Sequence, residues 1–192
     1  MLLDLPNLFT VAADPAPRVR ASRPVHISGY AREADDFYPT PAWVTECLLN
    51  NIDLRGPVWE PCCGDGAIAR VVAARNHQVV ATDLEDHGFG RPAVDFYTCR
   101  HFPADCRSLL TNPPYGDGSI KRTGPASARF LRGFVRHAID LTMRADGQLA
   151  LLVRFQWIAG RNAAALIASG PLDTVLVITK RIIWFDRGKD TN

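Results

Sequence analysis

Short apolar runs alternate along the chain with segments of helical periodicity. The runs with the composition of buried strands occupy residues 57–60, 78–83, 94–96, 108–112 and 149–154. Between and after them, apolar residues return at helical spacing over 66–75, 125–144 and 162–169. Strands that alternate with helices indicate βαβ units, so we expect an α/β fold with a mostly parallel sheet and helices on both faces.

Two further elements flank this alternation. Thr40 is predicted to cap a helix that has Pro41 in its first turn. The apolar face of that helix comprises Val44, Leu48, Leu49 and Ile52. At the other end, the run TVLVITKRIIWF over 174–185 predicts a closing strand.

Composition suits one globular domain preceded by an arm. Of the 192 residues, 47% are hydrophobic, enough for a substantial core. Residues 1–35 are rich in Ala, Pro and Arg and have no period, which predicts a flexible arm before a domain over 36–192. No run approaches the ~20 apolar residues of a membrane span, and the first residues do not resemble a signal peptide.

The five cysteines form no CxxC pair, which favours reduced thiols, a cytoplasmic location and no structural zinc. They are Cys47, Cys62, Cys63, Cys99 and Cys106. The formal net charge of +2 is too small to indicate a nucleic-acid partner by itself.

The chemically unusual residues follow the ends of the predicted strands, where α/β sheets bind ligands. After the first strand, Glu60 precedes a turn with Gly64 and Gly66. Glycines there let a ligand approach the backbone, and the following helix adds a positive dipole. The spacing Gly64-x-Gly66-x-x-Ala69 also fits the fingerprint G-x-G-x-x-A of dinucleotide-binding proteins, so a nicotinamide dehydrogenase remains a rival. Against this rival, a carboxylate at Glu60 suits the ammonium group of a ligand better than a pyrophosphate.

Two acids end the next predicted strands. Asp83 can accept hydrogen bonds from both ribose hydroxyls of a nucleoside cofactor, or it is only a helix cap or a surface acid. Asp95 can accept from an adenine amino group while Phe96 lies against the ring. An acid followed by a core aromatic residue is an equally good interpretation of that pair.

The sequence Asn112-Pro113-Pro114-Tyr115 follows the run SLLT. Prolines lack the N–H of a strand ladder, so the chain leaves the sheet here. The Asn112 amide oxygen and the Pro113 carbonyl can accept both hydrogens of an exocyclic amino group, and Tyr115 offers a flat face to a base. The alternative is an Asn-Pro turn with a half-exposed tyrosine.

The segments DFYPTP, EPCCGDG, ATD, VDF and TNPPY resemble, in this order, the class I S-adenosylmethionine-dependent methyltransferases that modify N6 of adenine in DNA, in particular small phage and prophage members. The resemblance covers about residues 36–184. It implies a Rossmann-like fold, S-adenosylmethionine as cofactor with S-adenosylhomocysteine as product, no metal, no membrane, and a bacterial or phage-infected cytoplasm. DNA is the implied partner, with RNA as the alternative.

The same resemblance assigns residues to the two substrates. The positions assigned to the cofactor are Tyr38, Thr40, Pro41, Glu60, Pro61, Cys62, Gly64, Gly66, Asp83, Leu84, Asp95, Phe96 and Asn112. The positions assigned to the target base and catalysis are Asn112, Pro113, Pro114 and Tyr115. The implied reaction is direct transfer to an amine whose two hydrogens are accepted at Asn112 and Pro113, with the base flipped or taken from a single strand.

Basic residues follow the NPPY tetrapeptide and form a candidate surface for phosphates. They are Lys121, Arg122, Arg129, Arg132 and Arg136. The last three share one face of the predicted helix, which is equally well explained as a solvated surface. Residues 116–124 are predicted to form a lid, and Phe155 and Trp157 either line the base pocket or pack in the core.

Two departures from the family pattern limit the resemblance. Only 17 positions separate Asp95 from Asn112, so no target-recognition domain is inserted there, and we expect low sequence specificity. The family's antiparallel seventh strand is either missing or formed by residues 181–185. A protein glutamine methyltransferase, an RNA methyltransferase and a non-catalytic binding subunit remain rivals.

Overall fold

The computed structural model describes residues 39–115, 125–170, 172–180 and 182. Four strands lie within these residues and form one sheet of order β2-β1-β3-β4, with every neighbouring pair parallel. They are β1 (Val58–Glu60), β2 (Val79–Ala81), β3 (Ser108–Thr111) and β4 (Gln148–Leu151). The predicted α/β fold with a parallel sheet is confirmed.

Helices accompany the strands. They are α1 (Ala42–Leu49), α2 (Ala67–Ala74), α3 (Pro125–Arg144), α4 (Phe155–Ile158) and α5 (Arg161–Ser169). The sequence predicted all of these except α4. That short helix begins directly after Arg154, so β4 ends at Leu151 and not at Arg154 as predicted.

Alternate strand residues enter two separate hydrophobic clusters, because successive side chains of a strand point to opposite faces. Val58 and Leu110 pack with residues of α1 and α2, including Val72. Trp59 and Leu109 pack with residues of α3. Helices therefore cover both faces of the sheet, as predicted.

The start of α1 differs from the prediction. The helix begins at Ala42, its N-cap is Pro41, and no side chain caps it. Thr40 is buried, and its hydroxyl instead accepts a hydrogen bond from the Asn112 side chain. A long-range partner has replaced the local one that the sequence suggested.

The predicted strand over 94–96 is wrong. The Asp95 carboxylate accepts from the Tyr97 N–H and starts a 3₁₀ turn over Phe96–Thr98. An aspartate that caps a turn in this way offers the backbone an alternative to a strand ladder. Phe96 then enters the core between Trp59 and Phe134.

The predicted closing strand is not formed in its described part. Residues 172–180 contain no strand, and Val175 and Val177 are exposed. A β-branched composition favours a strand only where a neighbouring strand pairs with it. Residues 181 and 183–185 lie outside the described residues, as do the arm over 1–35 and the lid over 116–124.

The strand order reverses its direction at β1. From β1 the chain proceeds to β2 on one side and then returns across β1 to β3 on the other. At such a reversal the connections leave in opposite directions, and ligands of α/β proteins bind beyond the carboxyl ends of the strands there. The residues that follow β1 and β3 are therefore the first to consider as a site.

Candidate functional site

Polar side chains mark the carboxyl ends of three adjacent strands. Glu60 is the last residue of β1, Asn112 follows β3, and Asp83 comes two residues after β2. Since β1 pairs with both β2 and β3, these three positions share one edge of the sheet. All three were predicted as site residues from the sequence.

Glu60 is a buried carboxyl group with an unused oxygen. Glu60 is 2% exposed, and its Oε2 has no hydrogen-bond partner among the described residues. Burial raises the pKa of Glu60 well above its usual range; the Ala69 N–H opposes this, and the nearby Asp83 and Asp65 carboxylates add to it. A positively charged donor entering beside Oε2 would favour the ionised form.

Asp83 joins the end of β2 to the glycine turn. Its Oδ2 accepts from the Gly64 N–H at 2.8 Å, and its Oδ1 accepts from the Glu85 N–H at 3.1 Å. Each carboxylate oxygen keeps a further lone pair, so both can still accept from a ligand. The carboxylate therefore organises the turn and retains capacity for the ribose hydroxyls that the sequence suggested.

Gly66 has a neighbour that the sequence did not reveal. It adopts φ +83° as the N-cap of α2, and a Cβ there would lie 2.4 Å from the Phe89 ring. The Arg70 guanidinium lies 4.7 Å from the centroid of the same ring. Packing by Phe89 thus explains this glycine without a ligand, and no local sequence signal linked the two residues.

Asn112 presents an acceptor. Its Nδ2 donates to the Thr40 hydroxyl at 3.2 Å, while its buried Oδ1 has no hydrogen-bond partner among the described residues. Pro113, next to it, is among the fully buried side chains. The rigid, buried prolyl residue restrains the chain on which the amide is held.

Tyr115 is half-buried and already has a cation on its ring. The Arg154 guanidinium lies 4.3 Å from the ring centroid, and the Tyr115 hydroxyl donates to the Leu152 carbonyl at 3.5 Å. Arg154 follows β4 and was not predicted as a site residue; its place at the end of the LLVR run was the available signal. The aromatic ring predicted to stack on a base therefore contacts a guanidinium.

The surroundings of Asp95 and Phe96 match the second interpretation of this pair, an acid followed by an aromatic residue of the core. The Phe96 ring is 5% exposed and stacks on Phe134 with a centroid distance of 4.4 Å. The Asp95 carboxylate is engaged with the Tyr97 N–H at 2.9 Å. Phe96 serves the core, and a role of either residue in binding a cofactor stays a prediction.

The remaining predicted cofactor residues have mixed surroundings. Pro61 is buried, Leu84 is 59% exposed, and Pro41 is half-buried. Burial raises the pKa of the Cys62 thiol, and the Asp83 and Glu60 carboxylates raise it further. Tyr38 lies outside the described residues.

The basic residues on α3 are exposed. They are Arg129, Arg132 and Arg136. Lys121 and Arg122 lie outside the described residues. Farther along, Phe155 is exposed, whereas Trp157 packs beside the cluster of Leu131, Val135 and Leu166.

Comparisons with protein-family models and with curated proteins give no match for this chain. The described residues contain no group of three or more His, Cys, Asp or Glu side chains that could hold a metal ion. Over the same residues, no helix combines the length and the apolar character that crossing a membrane requires.

Proposed function

We propose that the chain is a Rossmann-like methyltransferase that transfers a methyl group from S-adenosylmethionine to N6 of adenine in DNA. The observation that carries the proposal is the Asn112 amide oxygen, which is buried, faces no protein donor among the described residues and follows a central strand. A buried acceptor without a partner costs about 1–3 kcal/mol, and a donor that a ligand brings would remove this cost.

Two further features fit the cofactor. Glu60 Oε2 is a second buried acceptor without a partner at the end of the adjacent strand, where it suits an ammonium group. Asp83 has lone pairs for two ribose hydroxyls, and its Oδ2 holds the Gly64 N–H in the turn before α2. S-adenosylmethionine, when bound, supplies a methyl group on positively charged sulfur.

Asn112 has the central role in the proposed reaction. The N6 amine is a poor nucleophile because its lone pair is delocalised into the adenine ring. By accepting one N6 hydrogen, the Asn112 oxygen stabilises the positive charge that develops on nitrogen as it gains the methyl group. The nitrogen then loses a proton to solvent, so no side chain needs to act first as a base.

Tyr115 supports the base, and the arginines support the strand. A flipped adenine would stack on the Tyr115 ring and recover part of the few kcal/mol that unstacking costs. Arg154 must then leave that face or remain on the other one. The exposed face of Arg129, Arg132 and Arg136 would follow the phosphates, with weak sequence specificity.

Methyl transfer from labelled S-adenosylmethionine to double-stranded DNA, single-stranded DNA and RNA, followed by digestion to nucleosides, tests the proposal. We expect label in N6-methyladenine from DNA. Asn112→Ala should lower the transfer rate about 10²–10³-fold while cofactor binding persists. The control Asn51→Ala changes an exposed asparagine on α1's C-terminal side and should keep normal transfer.

Three outcomes would contradict the proposal. Label in RNA alone would assign a different substrate. Label in protein glutamine would support the amide methyltransferase instead. Binding of the cofactor without transfer to any substrate would indicate a non-catalytic subunit.

A further inference from the structure

Tyr97 belongs to a cluster of aromatic rings at the surface of α3. It is 41% exposed, although its ring contacts Phe130 of that helix at a centroid distance of 6.0 Å. It also stacks on His137, with a centroid distance of 5.9 Å and an interplanar angle of 30°. The His137 ring is itself fixed, because its Nε2 donates to the Phe96 carbonyl at 3.0 Å. The fold therefore holds an exposed aromatic ring in place beside α3.

Gly133 leaves the backbone of α3 uncovered next to this ring. Alanine is a better helix former than glycine, so an exposed glycine inside a helix of 20 residues needs a reason. Packing does not supply one. Over the described residues, the nearest atom to a Cβ placed there, apart from its own stretch of helix, is the Tyr97 hydroxyl at 3.9 Å, an ordinary contact distance. Glycine also serves where a ligand comes close to the backbone.

Three exposed arginines lie within about one turn of Gly133 on the same helix. They are Arg129, Arg132 and Arg136. Residues three and four apart are neighbours on a helix surface, so the first and the last of them flank the glycine. The only acid in the sequence of α3 is Asp140, one turn beyond the last arginine. Asp95, near Tyr97 in the sequence, accepts from the Tyr97 N–H. The part of α3 beside Tyr97 therefore suits an anionic partner.

The same turns of α3 contact the candidate site through another side of the helix. Tyr115 packs against the cluster that contains Leu131 and Val135. Phe130, the neighbour of Leu131, contacts Tyr97 instead. The helix between the two tyrosines is about 10–12 Å across with its side chains. A strand that lies against Tyr97 can therefore also reach Tyr115.

We propose that Tyr97, Gly133 and the three arginines form a binding surface for unpaired DNA, the Tyr97 surface. One base stacks on the exposed Tyr97 ring, and the backbone of the strand approaches α3 at Gly133, with its phosphates beside the arginines. Proteins bind single strands of varied sequence through this combination of stacking rings and positive charge. In a duplex the bases already stack on one another, so Tyr97 would engage a base only after unstacking. The inference rests on the proposed function and narrows its substrate to single-stranded DNA.

The first test measures binding of the full chain to fluorescein-labelled oligothymidylate without cofactor. This probe contains no adenine, and stacking tolerates every base, so it reports on the Tyr97 surface and not on the target-base site. We expect Tyr97→Leu to weaken binding about 5- to 100-fold. Tyr97→Phe keeps the ring and should bind like the wild type. Wild-type affinity in Tyr97→Leu would overturn the proposal.

Gly133→Ala gives a readout that loss of folding cannot imitate. Alanine fits at this position and favours the helix, so the Tm should rise by about 2–4 °C. Binding of oligothymidylate should nevertheless weaken, because the new methyl group separates the strand from the backbone of α3. An unchanged affinity in this variant would mean that the strand does not approach Gly133, which would overturn the proposal.

Salt dependence and strand type test the charged part of the surface. Arg129→Gln and Arg136→Gln should each reduce the slope of log Kobs against log salt by about 0.7. The control Arg75→Gln changes an exposed arginine at the end of α2, on the other face of the sheet, and should keep the slope. The wild type should bind the single strand more tightly than a duplex of the same length. Equal or tighter binding of the duplex would overturn the proposal.

The binding measurements do not depend on catalysis. Tyr97-dependent binding by a protein that methylates no nucleic acid would reject the proposed function and leave the Tyr97 surface standing. Methyl transfer to DNA with a KM that neither Tyr97→Leu nor Gly133→Ala changes would support the function and overturn the surface.

Discussion

The Asp83 carboxylate accepts a hydrogen bond from the Gly64 N–H at 2.8 Å, which ties the end of β2 to the turn that follows β1. The same carboxylate accepts from the Glu85 N–H, so it holds two loops at once. A residue that the sequence suggested for ligand binding is thus also part of the scaffold. Its substitution should affect both properties.

Asp83→Ala should lower the free energy of unfolding by about 1–3 kcal/mol, because two backbone donors lose a charged acceptor. It should also weaken S-adenosylmethionine binding. Urea unfolding and calorimetric titration measure the two effects. Asp86→Ala is the control, since this exposed aspartate accepts from the Gly88 N–H in its own turn. An Asp83→Ala protein as stable as Asp86→Ala would contradict the scaffold role.

Gly66→Ala should be markedly more destabilising than Gly88→Ala. Both glycines have positive φ, which costs an alanine about 1–2 kcal/mol. A Cβ at Gly66 also meets the Phe89 ring at 2.4 Å, whereas none of the neighbouring atoms comes within 4 Å of a Cβ at Gly88. Gly66→Ala combined with Phe89→Ala should remove the clash and retain only the cost of φ and the loss of the ring's packing.

Thermal and urea unfolding of these variants separate the two contributions. A non-additive recovery in the double variant would confirm that Phe89 causes the excess cost. Equal destabilisation by Gly66→Ala and Gly88→Ala would mean that the Phe89 loop moves aside freely. In that case the glycine would be required for its φ angle alone.

Much of the sheet could be predicted because each strand is a run of apolar residues that ends at, or is followed by, a polar residue. Trp59 and Leu109 sit inside such runs, and their burial follows from alternation with helical segments. The common location of the candidate residues Glu60, Asp83 and Asn112 was predictable for the same reason, since the carboxyl ends of parallel strands share one edge of the sheet.

The rest depended on contacts between distant residues. A cap at Thr40 and a strand at Asp95 were reasonable local choices, yet a hydrogen bond to Asn112 and an aspartate-capped turn replaced them. Nothing near Tyr115 in the sequence indicates that Arg154 covers its ring. Such pairings arise from tertiary packing, which overrides local propensity.

Cys63 should resist alkylation in the folded protein at about pH 8. Burial raises the pKa of its thiol to about 12, and the Glu60 and Asp83 carboxylates contribute. Since the thiolate is the reactive form, iodoacetamide should label Cys63 only as fast as the protein opens. Peptide mass spectrometry with the half-buried Cys47 as internal comparison measures this. Labelling of Cys63 before unfolding, at a rate near that of a free thiol, would contradict the prediction.

The stability of the protein should depend on pH through Glu60. Burial raises the pKa of Glu60, so the folded protein retains this proton at pH values where the unfolded chain, with an ordinary pKa of roughly 4.3, has lost it. Unfolding then releases a proton, and the free energy of unfolding falls as pH rises from the ordinary value toward the raised one, by about 1.4 kcal/mol per pH unit. Glu60→Gln cannot ionise and should escape this loss.

Urea unfolding of the wild type and Glu60→Gln at several pH values between about 4 and about 8 gives the required difference. We expect Glu60→Gln to gain stability relative to the wild type as pH rises, because other titrating groups cancel in the comparison. The control Glu46→Gln changes an exposed carboxyl group on α1. It shows how the loss of a surface charge alone changes the free energy of unfolding with pH. A Glu60→Gln difference that stays constant with pH would mean that the buried carboxyl is ionised in the folded protein, and that a cation or donor already compensates it. The proposed role of Oε2 as an acceptor awaiting a ligand ammonium would then fail.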